Sequence, residues 1–148
     1  MKLMKTLTKL AAGLTFFVLA ATTPAQAQPN PILYLTGLEY YTTPAGSFVR
    51  YRYDVFNKAE YPVAMFAPAP GLPPCGLNAN SSRTWVDFFN GRTNQRIYGF
   101  CALTNPSQLG SIWFAMPEGT IPPSYVYIVI RDRQTNTNYR SNLADTTL

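Results

Sequence analysis

The chain has 148 residues and a formal net charge of +5; 13% of the residues are charged, 47% are apolar and 14% are aromatic. This length fits one domain, and the high apolar content argues against intrinsic disorder. The sequence contains no histidine, which excludes Ser–His and Cys–His nucleophilic systems and histidine-ligated zinc sites.

The first 27 residues have the pattern of an export signal. Three lysines precede or border an apolar run from Leu10 to Ala21, which is shorter than the roughly 20 residues that a membrane-spanning helix needs. Ala25 and Ala27 then supply the small residues of a cleavage site. We therefore expect cleavage after Ala27, a periplasmic or secreted location, and no membrane span in the mature chain.

Removal of this segment lowers the positive charge. The mature chain keeps nine of the 12 basic residues and all seven acidic ones, so its net charge is +2. Its basic residues are scattered, whereas a nucleic-acid interface needs a clustered basic patch. We expect no nucleic-acid partner.

Short strand patterns separated by turn residues fill the first half of the mature chain. Ile32 to Tyr41 is apolar and aromatic, and Phe48 to Asn57 alternates between apolar and charged residues, as in a strand with one buried face. Pro62 to Phe66 is predicted as a third, short strand. Four prolines follow between residues 68 and 74, and they exclude a central strand or a helix interior there.

The second half repeats this pattern. Asn90-Gly91 is a strong turn signal between two of its strands, and the strand from residue 124 is apolar on both faces, which predicts a central position in a sheet. No segment after the export signal has a helical period. The predicted strands are Arg83 to Phe89, Gln95 to Leu103, Ser111 to Met116, Ser124 to Arg133 and Asn138 to Leu143.

Seven or eight short strands in about 120 residues predict an all-β fold, an antiparallel β-sandwich, with a small barrel as the alternative. With Trp85 in a middle strand, and a terminal hairpin in which Val126 to Arg133 leads to Tyr139 to Asn142, the chain resembles immunoglobulin-like and fibronectin type III-like domains. The resemblance covers almost the whole mature chain. It implies an adhesion, recognition or scaffolding module.

The two cysteines, Cys75 and Cys101, are an even pair in a chain that we expect to be exported. A single disulfide between them is therefore predicted. A reactive thiol pair is the alternative, but there is no C-x-x-C spacing to favour it.

No catalytic, cofactor or metal site is predicted. The seven carboxylates are far apart in sequence, and no spacing favours a glycosidase pair or a calcium loop. We expect a protein that is not an enzyme and that binds no cofactor.

Two surfaces are candidates for recognition. The first is the polar face of the second strand, where Phe48, Arg50 and Arg52 project together; arginine and aromatic residues are enriched at binding hot spots. The second is the proline-rich loop at Leu72, Pro73 and Pro74, which the predicted disulfide would hold.

Aromatic residues are also in excess, so some tyrosines must be exposed. Those considered are Tyr40, Tyr41, Tyr61, Tyr98, Tyr125 and Tyr127.

Three functions fit these features. The favoured one is an exported, non-catalytic binding or interaction module whose partner is an envelope or extracellular protein. The alternatives are a carbohydrate-binding module that stacks polysaccharide on exposed aromatics, and a small secreted hydrolase inhibitor that uses the loop near Cys75.

Overall fold

The structure is a computed structural model that describes residues 27–74 and 82–148. The predicted export signal up to residue 26 lies outside the described residues, and so does Cys75. The signal and the disulfide therefore stay predictions. Within the described ranges, no helix has the length and apolar character needed to cross a membrane.

In the part of the chain that the structure describes, eight β-strands form two antiparallel sheets. One sheet has the order β1-β2-β5; the other has the order β4-β3-β6-β7, and β8 also pairs with β6. This arrangement confirms the predicted all-β antiparallel fold. In chain order the strands are β1 (Leu33–Thr43), β2 (Gly46–Val55), β3 (Thr84–Asn90), β4 (Arg96–Phe100), β5 (Ile112–Pro117), β6 (Tyr125–Asp132), β7 (Thr137–Arg140) and β8 (Ala144–Asp145).

The core lies between the two sheets. Tyr53 of β2 and Phe114 of β5 contact Phe88 of β3, with ring centroids 5.4 Å and 5.6 Å apart respectively. All three side chains are fully buried. Because the rings come from both sheets, their contact packs the sheets face to face as a sandwich.

The alternation in β2 and the central position of β6 are confirmed. The inner residues of β2, from Val49 to Val55, are buried, while Arg50 and Arg52 lie on the opposite face. β6 lies between β3 and β7 in the second sheet.

The prediction of a strand from Pro62 to Phe66 is wrong. Val63–Phe66 forms a short 3₁₀ helix, in which the Met65 N–H donates to the Pro62 carbonyl over 3.0 Å. Met65 and Phe66 are buried, so the apolar residues do reach the core. A short apolar run buries its side chains in either conformation, and periodicity alone does not separate the two.

A side-chain amide closes the seam between β1 and the C-terminal segment. The Leu33 N–H donates to Asn142 Oδ1 over 2.8 Å, and Asn142 Nδ2 donates to the Leu33 carbonyl over 2.9 Å. The Asn142 amide thus takes the place that a neighbouring strand would occupy at this residue.

Two tyrosine hydroxyls fix the terminal segments. Tyr53 donates to the Asp145 carbonyl over 3.0 Å, and Tyr61 donates to the Pro29 carbonyl over 2.6 Å. Burial raises the pKa of both hydroxyls well above 10.0. Both side chains therefore hold these contacts as neutral donors.

Candidate functional site

The outer face of the three-stranded sheet carries the first predicted surface. Phe48, Arg50 and Arg52 project from β2 on the side away from the core, as alternation requires. Register places Tyr41 of β1 opposite Phe48, and Trp113 of β5 opposite Arg52. Directly opposed residues share a face, so aromatic and cationic side chains from three strands meet there.

Five side chains form a continuous stack: Phe48, Tyr41, Arg50, Trp113 and Tyr98. We call this stack, together with Arg52 on the same face of β2, the arginine ladder. The guanidinium carbon of Arg50 lies 4.7 Å from the ring centroid of Tyr41 and 4.4 Å from that of Trp113. Tyr41 stacks on Phe48 with centroids 5.7 Å apart, and Tyr98 stacks on Trp113 at 5.0 Å.

Arg50 is held at the centre of the ladder by charge as well as by stacking. Its Nη1 donates to Glu39 Oε2 over 3.1 Å, and Arg52 Nη1 donates to the same oxygen over 3.2 Å. Arg50 Nε is buried and has no hydrogen-bond partner among the described residues. Each cation–π contact stabilises by about 0.5–2 kcal/mol, depending on desolvation. The two rings therefore offset the cost of burying this nitrogen.

The ladder also joins the edges of the two sheets. Phe100 of β4 meets Trp113 edge to face, with centroids 5.9 Å apart, and meets Tyr98 in the same way at 5.3 Å. β4 belongs to the second sheet and β5 to the first. The aromatic surface is therefore continuous across the gap between these two strands.

Stacking limits what the ladder rings offer to a ligand. Arg50 and Tyr98 both stack on Trp113, 4.4 Å and 5.0 Å from its ring centroid, so part of this ring is already covered. Sugar binding by stacking needs an open ring face. The accessible parts of the ladder are instead ring edges and charged groups, with the Arg52 side chain 49% exposed.

The proline-rich loop lies against the second sheet. Leu72 is half-buried, and Pro73 and Pro74 are exposed. The Pro73 carbonyl accepts a hydrogen bond from the Arg133 guanidinium, which lies 4.0 Å from the Trp85 ring centroid. Residues 75–81 lie outside the described ranges, so the predicted inhibitory loop is placed only in part and stays a prediction.

The expectation that some of the six tyrosines considered are exposed is confirmed for three of them. Tyr61 and Tyr127 are buried, the latter with its hydroxyl donating to Asn94 Oδ1 over 3.0 Å. The exposed members are Tyr40, Tyr98 and Tyr125.

Four of the seven carboxylates are held in ion pairs. Asp132 is the most enclosed of them; burial opposes its ionisation, but hydrogen bonds from Arg83, Thr135 and the Gln134 N–H outweigh this and lower its pKa. Asp87 is likewise buried and bonded to Arg96 over 2.7 Å. The other two pairs are Glu39 with Arg50 and Arg52, and Asp54 with Lys58.

No group of three or more acidic or cysteine side chains within residues 27–74 and 82–148 is placed to hold a metal ion. Comparison of the chain with protein-family models, with curated proteins and with solved structures finds no match.

The sequence identified three members of this surface and missed the rest. Phe48, Arg50 and Arg52 were visible because they alternate along one strand. Tyr41, Trp113 and Tyr98 belong to other strands, and only the register brings them to Arg50. Clustering of Trp113 with Tyr98 could not be inferred, because β4 and β5 lie in different sheets.

Proposed function

We propose that this chain is an exported, non-catalytic interaction module that binds an envelope or extracellular protein through the arginine ladder. The observation that carries the proposal is the stacked and ion-paired Arg50, fixed between Tyr41 and Trp113. Tyrosine, tryptophan and arginine dominate protein–protein hot spots. A surface that is ordered before binding loses less conformational entropy when a partner docks.

The strand order supports an assignment within the immunoglobulin-like class. The first, second and fifth strands share one sheet, and the third, fourth, sixth and seventh share the other. In constant-type immunoglobulin domains the fourth strand pairs with the fifth. Here β4 pairs with β3 instead, which favours the fibronectin type III-like branch. Domains of this architecture commonly serve in recognition, although fold alone does not assign function.

The ladder favours a protein over a polysaccharide as the ligand. A glycan would need an open aromatic face, and Trp113 is already stacked against Arg50 and Tyr98. A protein partner can instead pair a carboxylate with Arg52 and pack against the ring edges of Tyr98 and Phe48. The net charge of the mature chain, +2, fits an acidic patch on such a partner.

The carboxylates support a non-catalytic role. Glu39, Asp54, Asp87 and Asp132 are each bonded to an arginine or lysine. Of these, Asp132 is a poor general acid, because hydrogen bonds from Arg83, Thr135 and the Gln134 N–H favour its ionised form and lower its pKa.

Affinity capture tests the proposal with two charge-reversal variants, one on the ladder face and one on the other sheet. The protein, purified after expression of the full-length chain, is immobilised and incubated with cell-envelope and culture-medium fractions. Arg52→Glu reverses a charge on the ladder face. Arg131→Glu is the matched control, because Arg131 is exposed and lies on β6 of the other sheet. Bound proteins are identified by mass spectrometry.

We expect one protein to be enriched by the wild type and by Arg131→Glu, and lost with Arg52→Glu. Direct titration of the purified partner should show at least a tenfold loss of affinity for Arg52→Glu, since hot-spot charge reversal costs more than about 1.4 kcal/mol. A partner retained equally by both variants would move binding away from the ladder. Retention on polysaccharide alone would replace the proposal with the carbohydrate-binding alternative.

A further inference from the structure

Among the described residues, nothing pairs with the outer edge of β1 over its second half. β1 is the edge strand of the three-stranded sheet, and Asn142 closes that edge only at Leu33. A β-bulge between Leu35 and Gly37 then shifts the register. From Leu38 to Thr43, no described residue other than those of β2 forms a backbone hydrogen bond with β1.

The direction of the free backbone groups follows from β2. The Ser47 carbonyl accepts from the Glu118 N–H over 2.9 Å, so the Ser47 backbone points toward β5 and not toward β1. Thr42 is opposite Ser47, and its own N–H and C=O therefore point away from β2. Direction alternates along an antiparallel strand, so Tyr40 and Leu38 present their backbone groups to the same open edge.

The segment of β1 after the bulge, from Leu38 to Thr43, lacks the features that usually prevent strand pairing. Natural edges are protected by lysine, proline, bulges or short length. Leu38 to Thr43 is Leu-Glu-Tyr-Tyr-Thr-Thr, and its single charge, Glu39, is already engaged by Arg50 and Arg52. Tyr40 is the middle one of the three residues whose backbone N–H and C=O point to the open edge, and its side chain is 66% exposed.

We infer that a second copy of this chain occupies the edge, through antiparallel pairing of β1 with β1 about a two-fold axis at Tyr40. Tyr40 then pairs with Tyr40 of the other copy, and Leu38 pairs with Thr42. Every outward N–H and C=O of these three residues gains a partner, which makes six backbone hydrogen bonds. The two three-stranded sheets become one continuous sheet of six strands.

Charge and sequence select this register. With the axis at Tyr40, Glu39 lies opposite Tyr41 of the other copy, so the two carboxylates are not directly opposed. An axis at Leu38 would place the bulge at Thr36 within the paired segment. An axis at Thr42 would place Tyr40 opposite Pro44, which has no N–H to donate.

Sedimentation velocity from about 10 µM to about 1 mM tests the pairing with protein purified after expression of the full-length chain; an interface of one strand pair is small, so association is expected in this range. We expect the weight-average sedimentation coefficient to rise with concentration toward that of a dimer. A single monomeric species over the whole range overturns the inference.

Tyr40→Pro isolates the edge from the fold. The substitution removes an N–H that points away from β2, so the pairing of β1 with β2 is preserved. We expect a folded protein, verified by circular dichroism, whose association is weakened at least tenfold. Tyr40→Val, which keeps the N–H and suits a strand, is the matched control and should associate within about threefold of the wild type. A folded Tyr40→Pro variant that associates like the wild type overturns the inference.

Cross-linking tests the axis even if Tyr40→Pro does not fold. Hydrogen-bonded antiparallel pairs have Cα atoms about 5.5 Å apart, within the range of a disulfide. Tyr40→Cys should form an intermolecular disulfide that joins residue 40 to residue 40, as peptide mass spectrometry would show. Thr36→Cys, exposed but in the bulge, should not cross-link. Equal cross-linking at both positions contradicts the register. The inference does not depend on the partner proposed for the ladder.

Discussion

Replacing Asn142 with alanine should open the seam between β1 and the C-terminal segment. The substitution removes both hydrogen bonds to the Leu33 backbone, at 2.8 Å and 2.9 Å. Each such bond contributes about 1 kcal/mol net. Leu33 is only 2% exposed, so water replaces the lost partners poorly. The expected loss in the free energy of unfolding is about 2 kcal/mol.

Urea denaturation followed by circular dichroism measures this loss. With an m value of about 1.5 kcal/mol/M, the midpoint should fall by about 1.3 M. Asn138→Ala is the matched control, because Asn138 is exposed on β7; its midpoint should move by less than about 0.3 M. An Asn142→Ala variant as stable as the control would refute the reasoning, since water would then satisfy Leu33 and the amide would not close the seam.

Three further predictions test the core, the buried hydroxyls and the cysteines. Phe88→Ala should lower the free energy of unfolding by about 3–5 kcal/mol in the same urea assay, because a fully buried ring between the sheets leaves a cavity; a loss under about 1 kcal/mol would contradict the packing. Burial raises the pKa of Tyr53 and Tyr61, so the folded state favours the neutral hydroxyls; their stabilisation is complete below pH 10 and is lost as pH rises through the folded-state pKa values. The thermal midpoint should therefore fall progressively above pH 10, less so in Tyr53→Phe at matched reference stability, and a flat profile to pH 12 would contradict this. Cys75 and Cys101 should be recovered as one disulfide-linked peptide pair without reduction, and the double serine variant should lose about 3.5 kcal/mol in the chain-entropy account; two free thiols in the exported protein would exclude the bridge.

The sequence predicted the elements whose side-chain pattern is unambiguous. In β2 the apolar residues occupy every second position, and only one register buries them, so both its core face and its outer face were predictable. In β6 both faces are apolar until Arg131, which required neighbours on both sides, and β3 and β7 provide them.

The sequence-based predictions of secondary structure were wrong where the apolar run is short or where a strand ends. Pro62 to Phe66 buries its apolar residues as a 3₁₀ helix, although the same residues would suit a strand. β4 ends at Phe100, before the predicted end at Leu103. At such positions tertiary contacts determine the conformation, and local sequence does not encode them.

The arginine ladder could be predicted only in part, for a related reason. Phe48, Arg50 and Arg52 lie on one strand, so alternation alone brings them together. Tyr41 and Trp113 reach Arg50 through the pairing of three strands. A single sequence contains no direct record of that pairing.

The placement of the tryptophans makes each sheet separately observable. The chain has two tryptophans; Trp113 is in the first sheet, under the guanidinium of Arg50, and Trp85 is in the second, under that of Arg133. A nearby cation changes the emission of an indole ring. Replacing either tryptophan with phenylalanine leaves one natural fluorophore in one sheet. The fluorescence emission of each single-tryptophan protein would then report the unfolding of the sheet that holds the remaining tryptophan, without an attached dye.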